Sequence, residues 1–288
     1  MDAQNDMIYH NFQPPDEFRM TASAHAEKII SQYQQIKAMS EISISDDTMV
    51  QFHSFLNLLS NDHSSEFSDT VLQHPSIQDA KPGIQMLFSH ASSIYERYWA
   101  QRILQSDSPL SVFEDDYPYY AHYKRATSLE INAVQALAPS AIGKILMVGS
   151  GALPVTSLAL AKNGFATDNL DIHQADLELG AKVSQKLYPD LRMNFIHGDI
   201  VNQTDLAEYD VIWLAALAGD EALKTKIIDY LYRSMAPGSF LVLRTAYNLR
   251  KLLYPSIGES DLKQFSMKLK IQTYADNFHS ILIAQKAP

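Results

Sequence analysis

No cysteine occurs among the 288 residues. That excludes disulfides, thiolate nucleophiles and thiolate metal sites together. No uninterrupted apolar stretch approaches the ~18–20 residues that a membrane span needs. The opening M-D-A-Q-N-D is acidic and polar, unlike the basic and apolar start of a secretory leader. A cytoplasmic chain without a membrane partner is expected. The ten histidines are scattered and show no H-E-x-x-H or comparable spacing, so the expectation is an enzyme that needs no metal. A basic face is missing as well. Residues 1–139 carry 18 Asp and Glu against 8 Lys and Arg, while residues 140–288 carry 15 of each. Neither part has the positive footprint that phosphate backbones attract, which argues against nucleic acid as a partner. There is no internal repeat and no low-complexity segment.

What is present is ordinary for a folded protein: 46% hydrophobic and 19% charged residues. The charge imbalance suggests two units, a helical N-terminal domain over 1–139 and a second domain over 140–288. Residues 1–20, with Pro14-Pro15, read as an arm. Ile29, Tyr33, Ile36 and Lys37 share a helical face, and Ser45-Asp46-Asp47 offers a cap before Met49, Phe52, Phe55, Leu56 and Leu59. Asn61 to Ser65 reads as loop, and Gly83 as a break before a long helix, Ile84 to Gln105. An irregular aromatic region follows, then a helix over Leu129 to Leu137 and a turn-prone linker, Ala138 to Gly143.

The second half alternates strands with helices. Strands are expected near Lys144–Val148, Thr167–Ile172, Arg192–His197, Asp210–Leu214, Ser239–Arg244, Lys268–Thr273 and Ser280–Ala284. Helices fall near Leu153–Lys162, Ala175–Leu187, Asp220–Met235 and Glu259–Phe265. This predicts an α/β fold, a Rossmann-type doubly wound sheet preceded by an all-helical region. The first strand runs into Gly149-Ser150-Gly151, glycines that permit a tight turn close to a ligand. Asp171 follows at the spacing where such folds grip ribose hydroxyls. Pro154 replaces the third glycine of the dinucleotide fingerprint, which argues against an NAD pyrophosphate there. The last two strands read as an antiparallel hairpin at the sheet edge, the usual ending of class I methyltransferase-like folds, whose ligand is S-adenosylmethionine.

Several blocks fall in order: V-G-S-G-A-L-P-V-T-S at 148–157, D-N-L-D-I at 168–172, G-D-I at 198–200, Y-D-V-I-W-L-A-A-L-A-G at 209–219, M-A-P-G-S-F-L-V-L-R-T-A at 235–246 and L-Y-P at 253–255. Upstream, Y-P-Y-Y-A-H-Y at 117–123 precedes Leu129-Glu130. Together they resemble the nicotianamine synthases, and more narrowly the bacterial branch that makes opine metallophores of the staphylopine, pseudopaline and yersinopine type. The resemblance covers roughly Ile84 to Gly258. It implies an enzyme that uses S-adenosylmethionine as an aminocarboxypropyl donor to an amine and releases 5′-methylthioadenosine. Where the plant enzymes carry a G-E-A-E-G-type block, this chain has S-H-A-S-S at 89–93, which suits a single transfer to another amino acid, in the bacterial branch histidine. The implied partners are that amino acid and an opine dehydrogenase acting downstream; a homodimer is compatible with it. Two other readings stay open: an N-methyltransferase of small molecules, and a non-catalytic S-adenosylmethionine-binding protein.

On such a fold Gly149, Ser150, Gly151 and Leu153 are expected against the methionine and ribose parts of the donor. Asp171 is expected on the ribose, Asp199 on the adenine amine, and Ala215 and Ala216 where the ligand lies against backbone. Plain turns and strand-end caps are the alternatives for the glycines and the two aspartates. Arg244 ends a strand on the ligand side, where it can hold a carboxylate bidentately or serve as a structural ion pair. Glu96 lies at the edge of the helical stripe formed by Phe88, Tyr95, Trp99 and Ile103; partial desolvation there makes a better base. On pattern alone it is a helix-rim residue, and the resemblance, which places a functional Glu in this helix, favours the base. Tyr119 and Tyr123 are candidate catalytic phenols, with Tyr120 and Tyr254 expected in the acceptor site; aromatics also surround sulfonium cations or simply pack. His90 is set against a structural histidine in the same way.

Overall fold

A computed structural model of the chain describes residues 22–60, 63–138, 140–272 and 279–287. The expected N-terminal arm and the end of the expected strand at Thr273 lie outside them. Nine α-helices and seven strands occur among the described residues. The helical region comprises α1 (Ala22–Lys37), α2 (Asp46–Leu58), α3 (Ser65–Leu72), α4 (Pro75–Gln105), the short α5 (Pro109–Ser111) that continues as a π-helical turn at Val112–Asp116, and α6 (Tyr120–Leu137). Ser45 caps α2 by accepting from the Thr48 amide, as its sequence predicts.

Gly83 does not break the chain. Helix α4 runs through both Pro82 and Gly83. The glycine is needed for contact instead: a Cβ there would run into the Tyr33 hydroxyl of α1. The helix α3 has no counterpart in the sequence pattern; Ser64 caps it, and its buried Val71 and Leu72 join the core formed with Ile29, Phe55 and Leu249. The aromatic segment expected to be irregular is in part helical, since α6 begins at Tyr120.

The second half matches the alternation closely. Strands β1 (Lys144–Val148), β2 (Ala166–Asp171), β3 (Met193–His197), β4 (Val211–Leu214), β5 (Phe240–Thr245), β6 (Ser266–Ile271) and β7 (Ser280–Gln285) alternate with α7 (Val155–Lys162), α8 (Gln174–Leu187) and α9 (Glu221–Ser234). The expected helix at Glu259–Phe265 is a short 3-10 turn, Glu259–Leu262. The sheet order is β3-β2-β1-β4-β5-β7-β6. Five strands run parallel, and β7 inserts antiparallel between β5 and β6. Strands β1, β4 and β5 are almost wholly buried, because helices cover both faces of a parallel sheet.

The cores cross the expected boundary between residues 139 and 140. Ile131 and Val134 of α6 pack with Met147, Trp213 and Val242 of the sheet. Ala216 and Leu252 to Tyr254 pack with Ile29, Phe55 and Ile84 of the helical region. The carboxyl ends of β1, β2, β4 and β5 therefore face helices α2, α4 and α6. That is the place where an open parallel sheet binds ligands.

Candidate active site

Two cavities meet at this junction, each of about 210 Å³. The first is walled by α2, α4, α6 and the ends of β1 and β5. Tyr95, Tyr119, Tyr123, Arg244, Tyr254 and His279 face it. The second lies over β2 and β3, against Asp171, Gly198, Asp199 and Ile200. Five residues line both: Ser92, Glu96, Gly149, Ala215 and Leu217.

The turn after β1 is built by its glycines. Gly149 and Gly151 have φ of 80° and 68°, where a side chain is strained. A Cβ on Gly149 would stand 3.2 Å from that of Ala215. A Cβ on Gly151 would run into the Glu96 carboxylate. The second glycine thus admits a protein side chain, not only a ligand. Glu96 reaches into the turn from α4 and accepts from the backbone amides of Ala152 and Leu153. Burial pushes its carboxyl up to about 8, and the nearby Asp176 and Asp171 add to the rise against those two hydrogen bonds. Arg97, the next residue, points away and holds Asp176 through two bonds of 2.5 and 2.8 Å.

Asp171 ends β2. One of its oxygens accepts from the Gly151 amide at 2.8 Å, the other from the His173 amide at 2.9 Å. A carboxylate has about four acceptor positions, so capacity for a diol remains on the cavity side. Asp199 caps the 3-10 turn Ile200–Asn202 through the Val201 amide at 3.2 Å and also lines the second cavity. The Ser150 hydroxyl is buried at the first cavity with no hydrogen-bond partner. An unpartnered hydroxyl, a carboxylate with spare acceptor positions and a glycine turn suit a donor with ribose hydroxyls and polar amino and carboxyl groups. Leu153 and Ala216 line the first cavity, and Ala215 lines both. Among the described residues no group of three or more His, Asp or Glu side chains is placed to hold a metal ion.

Tyr119 and Tyr123 are one helical turn apart and both face the first cavity; burial raises both phenols, that of Tyr123 to about 12. Tyr117 and Tyr95 join them there. Tyr254 is buried, packs edge-on against Phe88 at 5.3 Å between centroids, and closes the cavity from the Rossmann side.

Two expectations need correction, and a third is decided between its alternatives. Tyr120 lines neither cavity. One residue on from Tyr119, its ring packs against Phe113 at 5.0 Å. His90 is exposed and lines neither cavity. Six residues before Glu96, it is rotated by about 240° around the helix from it. Arg244 lines the first cavity, but its bidentate carboxylate partner is the chain's own Glu130, at 2.9 and 2.8 Å. No local pattern signals that pair, which is separated by 114 positions.

Comparison with known proteins gives the frame for this geometry. The sequence model described as "Nicotianamine synthase protein" matches residues 19–288. The chain is 32% identical over 272 residues to nicotianamine synthase 1 of Arabidopsis thaliana, covering 90% of this chain and 83% of that protein. It is 30% identical over 268 residues to nicotianamine synthase of Solanum lycopersicum, covering 91% and 83%. The fold matches a crystal structure of a mutant of MtNAS in complex with S-adenosylmethionine, with a TM-score of 0.79 and 22% identity over 92% of this chain and 98% of that one. It matches MtNAS in complex with MTA and tNA equally, at 0.79 and 21%, over 91% and 97%. The chain belongs to the nicotianamine synthase family, and is thereby an S-adenosylmethionine-dependent aminocarboxypropyl transferase.

Proposed function

We propose that the enzyme joins the amino group of one amino acid, histidine, to the γ-carbon of the donor's aminobutyrate arm, once per acceptor, in the biosynthesis of an opine-type metallophore. The observation that carries this reading is the position of Glu96 on the wall shared by the two cavities. The donor occupies the second cavity and the glycine turn, with Asp171 on the ribose and Asp199 at the adenine end. The acceptor occupies the first cavity.

Bound S-adenosylmethionine supplies a carbon activated by the adjacent sulfonium. The chain must choose among three such carbons and prepare the amine, so geometry decides the product. Glu96, with its carboxyl raised to about 8, takes a proton from the acceptor ammonium in its ionised form, the minor form at neutral pH and the major one above pH 8. Tyr119 and Tyr123 offer ring faces and hydroxyls to the cation and the amine beside it. Arg244 has four of its five N–H groups engaged by Glu130, Thr156 and Thr127. One remains to mark the place of a single acceptor carboxylate.

Single transfer follows from the outer wall. Ile42, Ile44, Met49, Phe52, Leu56 and Phe88 line it. A once-alkylated product brings a second carboxylate and a second amine, and this wall, whose polar residues are Ser43, Thr48 and His53, offers the carboxylate no Lys or Arg to pair with. A planar neutral side chain such as imidazole fits better. The test is product analysis by mass spectrometry with S-adenosylmethionine and a panel of amino acids. 5′-Methylthioadenosine and a singly alkylated histidine are expected. S-adenosylhomocysteine would mean methyl transfer, and a doubly alkylated product would refute single transfer. The downstream partner is an opine dehydrogenase acting on that product.

A further inference from the structure

Glu130 is a fully buried carboxylate that touches neither cavity. It nevertheless bonds two residues that line the first one. Its Oε1 accepts from Arg244 Nε at 2.9 Å and contacts His279 Nε2 at 3.3 Å. Its Oε2 accepts from Arg244 Nη2 at 2.8 Å and from Trp213 Nε1 at 3.0 Å. Around this hub, Arg244 Nη1 donates to Thr156 at 2.8 Å and Nη2 reaches Thr127 at 3.4 Å. Three elements therefore converge on this α6 side chain, β4, β5 and the approach to β7, and α7 joins them through Arg244.

The arrangement is written along one helix. Tyr123, Thr127 and Glu130 are spaced by four and three residues on α6, so they share a face. The first lines the cavity, and the other two hold Arg244. The planar guanidinium has a fixed fork. With its Nε and Nη2 edge spent on Glu130, only the Nη1 edge is left for a substrate, beside Thr156 and Tyr123 on the cavity wall. Burial alone would raise the Glu130 carboxyl, but the charge of Arg244 and the bonds from His279 and Arg244 hold it at about 2. The pair is thus ionised throughout the working range, and its net charge is near zero. Such a pair recognises a carboxylate by direction rather than by charge.

We infer that Glu130 is a positioning residue for the acceptor: it fixes Arg244 and His279 so that one N–H edge of Arg244 sets where the acceptor's carboxylate, and with it the amine, must lie. This rests on the reading of the first cavity as the acceptor site. It goes beyond that reading in assigning a residue that never meets the substrate.

The experiment compares two acceptors that differ only in the carboxylate, histidine and histamine, by 5′-methylthioadenosine release. The wild type should prefer histidine in kcat/KM by two orders of magnitude or more. Glu130→Gln leaves Arg244 as an unpaired buried cation. Glu130→Asp keeps the charge, folds more readily, and withdraws the fork by one methylene; a displacement of about 1 Å in a positioning group costs about a hundredfold. Both variants should shrink the histidine-to-histamine ratio at least tenfold. Calorimetric affinity for S-adenosylmethionine should stay within about twofold. A purely structural Glu130 would slow both acceptors alike and leave the ratio unmoved. An unchanged ratio in folded Glu130→Asp overturns the inference. A wild type that does not discriminate between the two amines overturns the acceptor reading of the cavity, and the inference with it.

Discussion

The carboxyl of Glu96 is expected to set both the pH dependence of stability and the rate, in opposite directions. In the folded chain it is pushed up to about 8 from an ordinary 4.5. Between those values the folded state keeps a proton that the unfolded chain releases. Stability therefore falls as pH rises through that window, and the loss is complete above pH 8. The difference corresponds to at most about 5 kcal/mol. Solvent entering by the two cavities moderates it to on the order of 2–3 kcal/mol. Glu96→Gln is neutral at every pH and keeps size and hydrogen bonding. Urea unfolding should find it close to wild type at pH 5 and more stable than wild type at pH 9, by that amount. Turnover should move the other way, falling by roughly 10²–10⁴ near neutral pH, the usual worth of general acid–base catalysis. Donor affinity should stay nearly intact, because Glu96 serves the other substrate, and the rate should recover in part at high pH, where histidine already carries more neutral amine. Parallel stability curves for the two proteins would show that the carboxyl ionises normally. Wild-type turnover at neutral pH would reduce it to a helix-edge residue.

Further outcomes follow from the same contacts. Asp171→Ala should weaken S-adenosylmethionine binding by about 1–3 kcal/mol in calorimetry; unchanged affinity in a folded variant would remove it from the donor site. Gly151→Ala should cost about 1–2 kcal/mol for its left-handed backbone and, by displacing Glu96, cut turnover at least tenfold. Gly164→Ala, at φ 92° with nothing within 4 Å of a Cβ, should lose stability alone, as thermal melting and 5′-methylthioadenosine release would show. Lys224 is fully buried, donates to the Ala216 carbonyl, and is lowered by burial from 10.5 to about 7. Because the unfolded chain binds that proton between those values and the folded one does not, wild-type stability should rise with pH across the window. Lys224→Met should flatten that rise in urea unfolding at pH 6, 8 and 10.

The sheet was legible because burial on both faces writes parallel strands as short apolar runs, and Lys144–Val148 and Val211–Leu214 are such runs. The glycine turn and Asp171 were legible because their spacing is local. Three kinds of error have physical causes. Gly83 reads as a breaker, yet it is a contact: the propensity cost of a glycine inside a helix is outweighed by close packing on Tyr33. The chemistry of Tyr120 and His90 suggests a place in the site, and the phase of their helices turns both away from it. The pairing of Glu130 with Arg244 could not be read from any window of sequence. Nothing in the periodicity of α6 says that its buried stripe carries a carboxylate matched by a guanidinium on β5.

Glu96 shows how the two expected units become one site. In a dinucleotide fold the second glycine of the turn lets a phosphate approach the backbone. Here the space beside Gly151 is taken by a carboxylate from α4, which accepts two amides of the turn itself. The base is therefore anchored to the loop that faces the donor, while its helix forms a wall of the acceptor cavity. Any shift of the helical region against the sheet would move base and turn together. The distance between proton acceptor and donor turn is thus fixed by hydrogen bonds within the site rather than by how the two halves pack. That explains why a cavity assembled from distant segments can hold its catalytic group in register, and why the glycine and the glutamate must be read as a single feature of this sequence.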